Sequence, residues 1–171
     1  RGCIGIVIKT SMQCHPIASK VQTEALRTLM SLGFSSNCQD VIRKEGGIEQ
    51  IFHAMAALRE CKDVQVEALK VLSTLALNHS ENKHRIIKGI DHIILSMQQH
   101  GSASAVQGEG CAVLATLSFR NVEHKKVISS SGGVNVIISA MCAHRDIVGV
   151  QVDACKALAS LAFDTTLQVE I

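Results

Sequence analysis

Residues 64–77 read VQVEALKVLSTLAL, and residues 150–163 read VQVDACKALASLAF. The same pattern recurs as VQTEALRTLMSLGF at residues 21–34 and as VQGEGCAVLATLSF at residues 106–119. The four Val-Gln pairs are therefore 43, 42 and 44 residues apart, and a Met stands nine residues before each of them. Apolar residues at the first, fifth, eighth or ninth, and twelfth places of each copy lie on one stripe of a helix. The pattern predicts an amphipathic helix that is repeated four times at a nearly constant interval.

Two further segments complete each repeat. An apolar run that ends at the Met predicts a short buried helix: CIGIVIKTSM (3–12), GIEQIFHAM (47–55), GIDHIILSM (89–97) and GVNVIISAM (133–141). A shorter segment precedes three of these runs: NCQDVIRKE (37–45), ENKHRIIKG (81–89) and VEHKKVISS (122–130). Gly-Gly at 46–47 and 132–133, with Gly89 at the matching place, separates the two segments, and glycine is the usual left-handed stop after a helix.

Three helices in about 43 residues match the period of armadillo or HEAT repeats. The chain resembles the armadillo repeat family over all 171 residues, through GGIEQI (46–51) and GGVNVI (132–137) together with the Val-Gln helices. The spacing from Met to Val-Gln is similar to the divergent armadillo repeats of large multidomain proteins such as leucine-rich-repeat kinases. The resemblance implies an all-α, armadillo/HEAT-like α-solenoid of about four three-helix repeats, a right-handed superhelix whose third helices line a concave groove.

The chain contains no linker or low-complexity tract, which predicts one continuous array over residues 1–171. Its repeats are expected at about 1–45, 46–88, 89–131 and 132–171. A solenoid needs polar caps because each repeat covers its apolar face only against a neighbour. Neither end of this sequence has the pattern of a cap, so we expect a fragment of a longer array. The alternative is a chain that meets a partner at its ends.

Composition excludes several classes of function. The net charge is +2, and four Phe are accompanied by no Trp or Tyr, which argues against nucleic-acid binding. No apolar run approaches the ~20 residues that cross a bilayer, so membrane insertion is not expected. Seven scattered cysteines without a Cys-x-x-Cys pair favour a reducing, cytoplasmic compartment, with nuclear and cytoskeletal locations left open.

No catalytic constellation is present in the sequence. It contains no phosphate-binding loop, no Gly-x-Ser-x-Gly elbow and no His-Glu-x-x-His motif, so we expect no enzyme activity, no cofactor and no metal site. Histidines at 15, 100 and 144 each follow a Met by three residues, where they favour the C-terminal end of a helix. Two sets of repeat-equivalent residues are interpreted as core: Cys111 and Cys155, and Phe34, Leu77, Phe119 and Phe163.

The third helices also carry rows of polar residues. Armadillo proteins that hold extended peptides have a Trp and an Asn four residues apart on this helix. The Trp place here holds Arg27, Lys70, Ala112 and Lys156, and the Asn place holds Ser31, Thr74, Thr116 and Ser160. This departure argues against importin-like capture of a basic peptide. Three residues before the Trp place stand the acids Glu24, Glu67, Glu109 and Asp153.

We call these three rows the third-helix face. One interpretation is i,i+3 ion pairing on a solvated helix, which contributes only a few tenths of a kcal/mol per pair. The other is a charge-patterned groove floor that offers both signs of charge and hydroxyl hydrogen bonds to a partner. The second predicts a non-catalytic protein–protein interaction scaffold that binds a partner protein or peptide. The alternative functions are a regulatory segment that packs on a kinase or GTPase domain and a structural part of a cytoskeletal or axonemal assembly.

Overall fold

The computed structural model describes residues 2–162, which form helices and short connections with no strand among them. The α-helices are α1 (Cys3–Ile6), α2 (Ser19–Leu32), α3 (Ser36–Lys44), α4 (Gly47–Ala57), α5 (Lys62–Ala76), α6 (Ser80–Ile86), α7 (Ile90–Gln99), α8 (Ser104–Ser118), α9 (Val122–Ser130), α10 (Gly133–Ala143) and α11 (Val148–Ala162). Helix α1 continues directly into a π-helical segment, Val7–Met12, and a 3-10 turn, Ile87–Gly89, joins α6 to α7.

Repeat-equivalent helices pack in layers. The third helices α2, α5, α8 and α11 lie side by side in chain order, and each contacts the next. The second helices form a parallel layer in which the π-helical segment contacts α4, α4 contacts α7, and α7 contacts α10. The predicted apolar stripe is buried between the layers, where Leu29, Leu72 and Leu114 are fully enclosed. These contacts confirm the predicted α-solenoid of four repeats.

A glutamine clamp explains why Met and Val-Gln recur at a fixed distance. The Gln65 side-chain amide lies 3.0 Å from the carbonyl oxygen of Met55 and 3.1 Å from that of Leu58, to both of which it donates. These carbonyls belong to the last turn of α4 and its C-cap, where no helical N–H is available to them. Equivalent pairs of hydrogen bonds are made by Gln22, Gln107 and Gln151 at 2.8–3.0 Å.

A second polar contact joins the C-terminal end of a third helix to the first helix that follows it. The Asn82 amide of α6 donates to the carbonyl oxygen of Leu75 at 2.8 Å. One repeat later, His124 Nδ1 lies 3.1 Å from the carbonyl oxygen of Leu117. Each first helix therefore satisfies a carbonyl at the end of the third helix before it.

The predicted glycine stops are present in two repeats. Gly46 and Gly132 adopt φ of 77° and 88°, the left-handed conformation in which glycine carries no steric cost. Gly89 differs, because its φ is −105° and the chain passes from α6 to α7 through the 3-10 turn. Its lack of a side chain serves packing instead, since a Cβ there would lie 2.5 Å from the Phe52 ring.

Part of the predicted core is wrong. Phe34, Leu77 and Phe119 are 76%, 56% and 56% exposed, because each lies just past the end of its third helix, where the chain turns away from the core. Phe163 lies outside the described residues. Cys111 is fully buried as predicted, whereas Cys155 on α11 is exposed.

In the described part of the chain, no single helix has the length and apolarity to cross a bilayer. Helices α9 and α10 reach those criteria only as a pair, and they are bent by 68° at the break between them.

Candidate functional site

The three polar rows of the third-helix face occupy one side of the stacked third helices. Within each helix they stand three, six and ten residues after the Val of Val-Gln, and this i, i+3, i+7 spacing keeps them on a single side. Packing α2 against α5, α5 against α8 and α8 against α11 then sets equivalent residues next to one another. The acidic, basic and hydroxyl rows therefore run across the repeats.

The acidic and basic rows pair with each other. Within single helices, Arg27 Nη1 lies 2.8 Å from Glu24 Oε1, and Lys156 Nζ lies 3.1 Å from Asp153 Oδ1. Arg27 also reaches the next repeat, where its Nε lies 3.4 Å from Glu67 Oε1. The i,i+3 pairing that the first of the two interpretations describes is thus present, and one further pair links two repeats.

Glu67 is the centre of this network. It is 7% exposed, and its Oε1 accepts contacts from Arg27 and from Lys70, each at 3.4 Å. A buried carboxylate needs partners that replace its lost hydration, and the two bases supply them here. The same network raises the pKa of the Arg27 guanidinium, first through the charge of Glu24 and then through Glu67.

Glu109 interrupts the pattern. Its own helix places Ala112 where the other repeats have a base, and no cation in residues 2–162 lies within ion-pair distance of its carboxylate. Burial is the largest cause that raises the Glu109 pKa, and the carboxylates of Asp153 and Glu67 add to it. The charge of Lys70 lowers the Glu109 pKa and so acts in the opposite direction. The third-helix face therefore holds one half-buried carboxylate without a paired base.

The hydroxyl row is already engaged as a donor. Ser31, Thr74 and Thr116 each donate to the carbonyl oxygen four residues earlier, at 3.1, 2.9 and 2.8 Å. Ser160 lies 3.3 Å from the carbonyl oxygen of Ala115 and accepts from Ser118 at 2.8 Å. A hydroxyl has one proton and two acceptor lone pairs. The row therefore offers a partner acceptors rather than donors.

Two of the three post-Met histidines connect repeats. His100 Nε2 lies 2.7 Å from the carbonyl oxygen of Arg59, and His144 Nε2 lies 2.8 Å from that of Gly101. Both residues are also the C-caps of their second helices, as the dipole argument predicts. His15 is exposed. Within residues 2–162, no three His, Cys, Asp or Glu side chains converge as metal ligands would.

Sequence reasoning missed a cluster on another edge of the molecule. Lys83 Nζ and Arg120 Cζ lie 5.7 and 5.1 Å from the centroid of the exposed Phe119 ring. Both distances are within the range of a cation–π contact. The sequence signal is the recurrence of a large apolar residue thirteen places after the Val of each Val-Gln pair, which the sequence analysis interprets as core.

Comparison with known proteins agrees with this architecture. A family model described as armadillo-like matches residues 2–88. The armadillo repeat-containing protein 6 homolog of Drosophila melanogaster is 26% identical over 135 residues, which are 77% of this chain and 29% of that protein. The chain therefore spans less than a third of the length of this relative.

Two crystal structures of engineered proteins from the Northeast Structural Genomics Consortium share the fold. One superposes with a TM-score of 0.84 at 25% identity and covers 99% of this chain and 40% of the engineered one. The other has a TM-score of 0.79 at 24% identity, with 92% and 62% covered. With half of its residues matched by the family model and nearly all of them by the solenoid fold, the chain belongs to the armadillo-like repeat family.

Proposed function

We propose that this chain is a non-catalytic interaction scaffold that binds an extended segment of a partner protein along the third-helix face. Armadillo-like solenoids typically act through protein contacts rather than catalysis, which supports the general role. One observation supports the choice of surface. The acid–base ladder is complete in three repeats and lacks its base in the repeat that contains Glu109.

The missing base suggests what the partner contributes. Glu67 shows how this face accommodates a carboxylate, with cations on two sides. At Glu109 a partner Lys or Arg placed over Ala112 would supply the absent cation. Charge-assisted hydrogen bonds of this kind are shorter and stronger than neutral ones, and partial burial limits their screening by salt. The hydroxyl row, with its protons engaged, would accept hydrogen bonds from backbone N–H groups of the same segment.

Two variants test this proposal in an affinity capture from cell lysate. In the first, Ala112→Lys gives Glu109 the base that other repeats have, so it competes with a partner cation. In the second, Glu67→Gln, Lys70→Gln and Thr74→Val are combined to remove the central pairs. We expect a protein captured by the wild-type chain to be lost by at least tenfold with either variant.

Glu60→Gln is the control, because Glu60 is an exposed acid in the loop between α4 and α5, outside the third-helix face. Helical circular dichroism of every variant must match the wild type. Equal capture by the wild type and by both variants would reject the third-helix face as the binding surface.

A second candidate function is regulatory or structural packing through the last described repeat. Ile138 on α10 is 44% exposed, whereas its repeat equivalents Phe52 and Ile94 are 8% and 4% exposed. Cys155 on α11 is likewise exposed where Cys111 is buried. A kinase or GTPase domain, a subunit of a cytoskeletal assembly or a further repeat could cover this face. Partner capture that Ile138→Asp abolishes and Ala112→Lys leaves intact would favour this alternative.

A further inference from the structure

Three exposed apolar side chains occupy one repeat position. Phe34, Leu77 and Phe119 each stand thirteen residues after the Val of Val-Gln, and more than half of each residue is exposed. They lie just past the ends of α2, α5 and α8, which pack side by side. The three side chains therefore follow one edge of the solenoid, and we call them the apolar ridge. Neighbouring exposed apolar groups that form a continuous patch are typical of an interaction surface.

Unpaired cations flank the ridge at Phe119. Lys83 and Arg120 both lie over its ring, at 5.7 and 5.1 Å from the centroid, and neither forms an ion pair with a carboxylate in residues 2–162. Lys83 is half-buried, and this burial lowers the pKa of its ammonium group. A partly dehydrated cation without a carboxylate gains from any anion that a partner brings.

The charge of the neighbouring segments has the same sign. Residues 79–88 and 120–126, which contain α6 and the start of α9, each hold three Lys or Arg and one acid. The remainder of the chain holds eleven basic and thirteen acidic residues. One of the two local acids, Glu81, already pairs with Arg43 at 2.7 Å. The edge beside the ridge is therefore basic on a chain that is otherwise slightly acidic.

The spacing between successive residues of the apolar ridge matches the spacing of side chains along one face of an α-helix. Packed helices lie about 8–10 Å apart, which sets the distance between successive ridge residues. Seven residues of an α-helix rise about 10.5 Å and return to the same side. A helix laid along the edge thus presents residues i and i+7 to successive ridge side chains. We propose that the apolar ridge docks an acidic amphipathic helix of a partner protein, with its apolar stripe on Leu77 and Phe119 and its carboxylates on Lys83 and Arg120.

The docking surface uses no residue of the third-helix face, so the two proposals can fail separately. The test pans a display library of random 18-residue peptides on the 171-residue chain, with counter-selection on a Leu77→Ser/Phe119→Ser variant. The Kd of an enriched peptide is then measured by fluorescence anisotropy. We expect acidic peptides with apolar residues at i, i+3 or i+4, and i+7. Their affinity should fall at least tenfold in the double serine variant and at least threefold in Lys83→Gln/Arg120→Gln.

Three controls make the result specific. Ile138→Ser alters an apolar residue of similar exposure on another face and should leave the Kd unchanged. The Glu67→Gln/Lys70→Gln/Thr74→Val variant should also bind normally, which separates the ridge from the third-helix face. Vesicles of phosphatidylcholine and phosphatidylserine test the competing anionic surface. No enrichment, enriched peptides without acidic residues, an unchanged Kd in the ridge variants, or vesicle binding that depends on the ridge would each overturn the proposal.

Discussion

At the scale of single residues, the most informative group is a carboxylate that lacks the base found in its sister repeats. Glu109 has a raised pKa because burial and two nearby acids disfavour its ionised form. The folded chain therefore binds this proton more tightly than the unfolded chain does. It follows that the stability contributed by Glu109 is present at low pH and is lost as the pH rises from 4.5 through the raised pKa.

Glu109→Gln should remove this dependence. The amide is close in shape and carries no charge, so we expect a higher melting temperature than the wild type at pH 7 and no difference below pH 4.5. Thermal unfolding followed by circular dichroism across pH 4–8 measures both. Glu60→Gln, in the exposed loop between α4 and α5 and outside this network, is the control for the loss of one carboxylate. A lower melting temperature for Glu109→Gln at pH 7 would contradict the account.

The pKa of His124 is lowered, whereas that of Glu109 is raised. Burial is the largest cause that lowers its pKa, and His84 and Lys83 lower it further, against the Leu117 carbonyl and Glu123. The stability that depends on neutral His124 is therefore complete above the ordinary value of 6.5 and is lost as the pH falls through 6.5 toward the lowered pKa.

Asparagine is the natural replacement at this position, because Asn82 makes the equivalent contact one repeat earlier. We expect His124→Asn to retain stability at pH 7.5 to within about 1 kcal/mol, since the bond to Leu117 is kept. The loss of stability between pH 7 and pH 5.5 should become smaller than in the wild type. Urea unfolding at both pH values provides the comparison, and an unchanged pH slope would show that another group titrates.

At the scale of elements, the glutamine clamp joins the second and third helices of each repeat. Gln107 is 2% exposed and donates to two carbonyls at the end of α7. Gln107→Met keeps a similar volume and leaves both oxygens without this donor, so we expect a loss of about 2 kcal/mol in the free energy of unfolding. Gln98→Met, on the exposed side of α7, is the control and should change stability by less than about 0.5 kcal/mol.

The elements also show how far sequence reasoning extends. The apolar stripe and the Met to Val-Gln interval predicted the helices and their order, because both follow from periodicity. The ridge residues were misassigned to the core, since periodicity describes a helix and not the direction in which a chain leaves it. Leu77 has an extended ψ of 119°, so helix α5 ends at Ala76. The repeated sequence pattern includes one more residue, Leu77, which is therefore outside the helix.

The sequence predicted which residues form the third-helix face, but it did not predict all of the contacts that they make. Its rows follow directly from repeat positions, and the i,i+3 pairs were expected. The link from Arg27 to Glu67 and the engaged hydroxyl protons depend on contacts between and within helices that residue types alone do not specify. The unpaired state of Glu109 was visible in the sequence only as Ala112, a missing base in an otherwise regular row.

At the scale of the whole molecule, each repeat is covered by its neighbours, so equivalent residues differ in their contribution to stability. Ile94 is 4% exposed between repeats, whereas Ile138 is 44% exposed on the last described repeat. We expect Ile94→Ala to cost about 2–4 kcal/mol and Ile138→Ala about 1 kcal/mol. Chemical denaturation measures both. Equal costs would show that the α10 face is already covered in solution, as self-association would cause.

The placement of the directional hydrogen bonds has a mechanical consequence. Each glutamine clamp acts inside one repeat, whereas repeats are joined by apolar packing together with polar contacts at individual positions, such as Arg27–Glu67, Ser118–Ser160 and His144–Gly101. Apolar contacts tolerate small sliding movements, and paired hydrogen bonds do not. Under tension we therefore expect the contacts between repeats to shift before the contacts within a repeat are lost. As a result, we expect the end-to-end length of the array to change under load by many small rotations between repeats rather than by the loss of any helix.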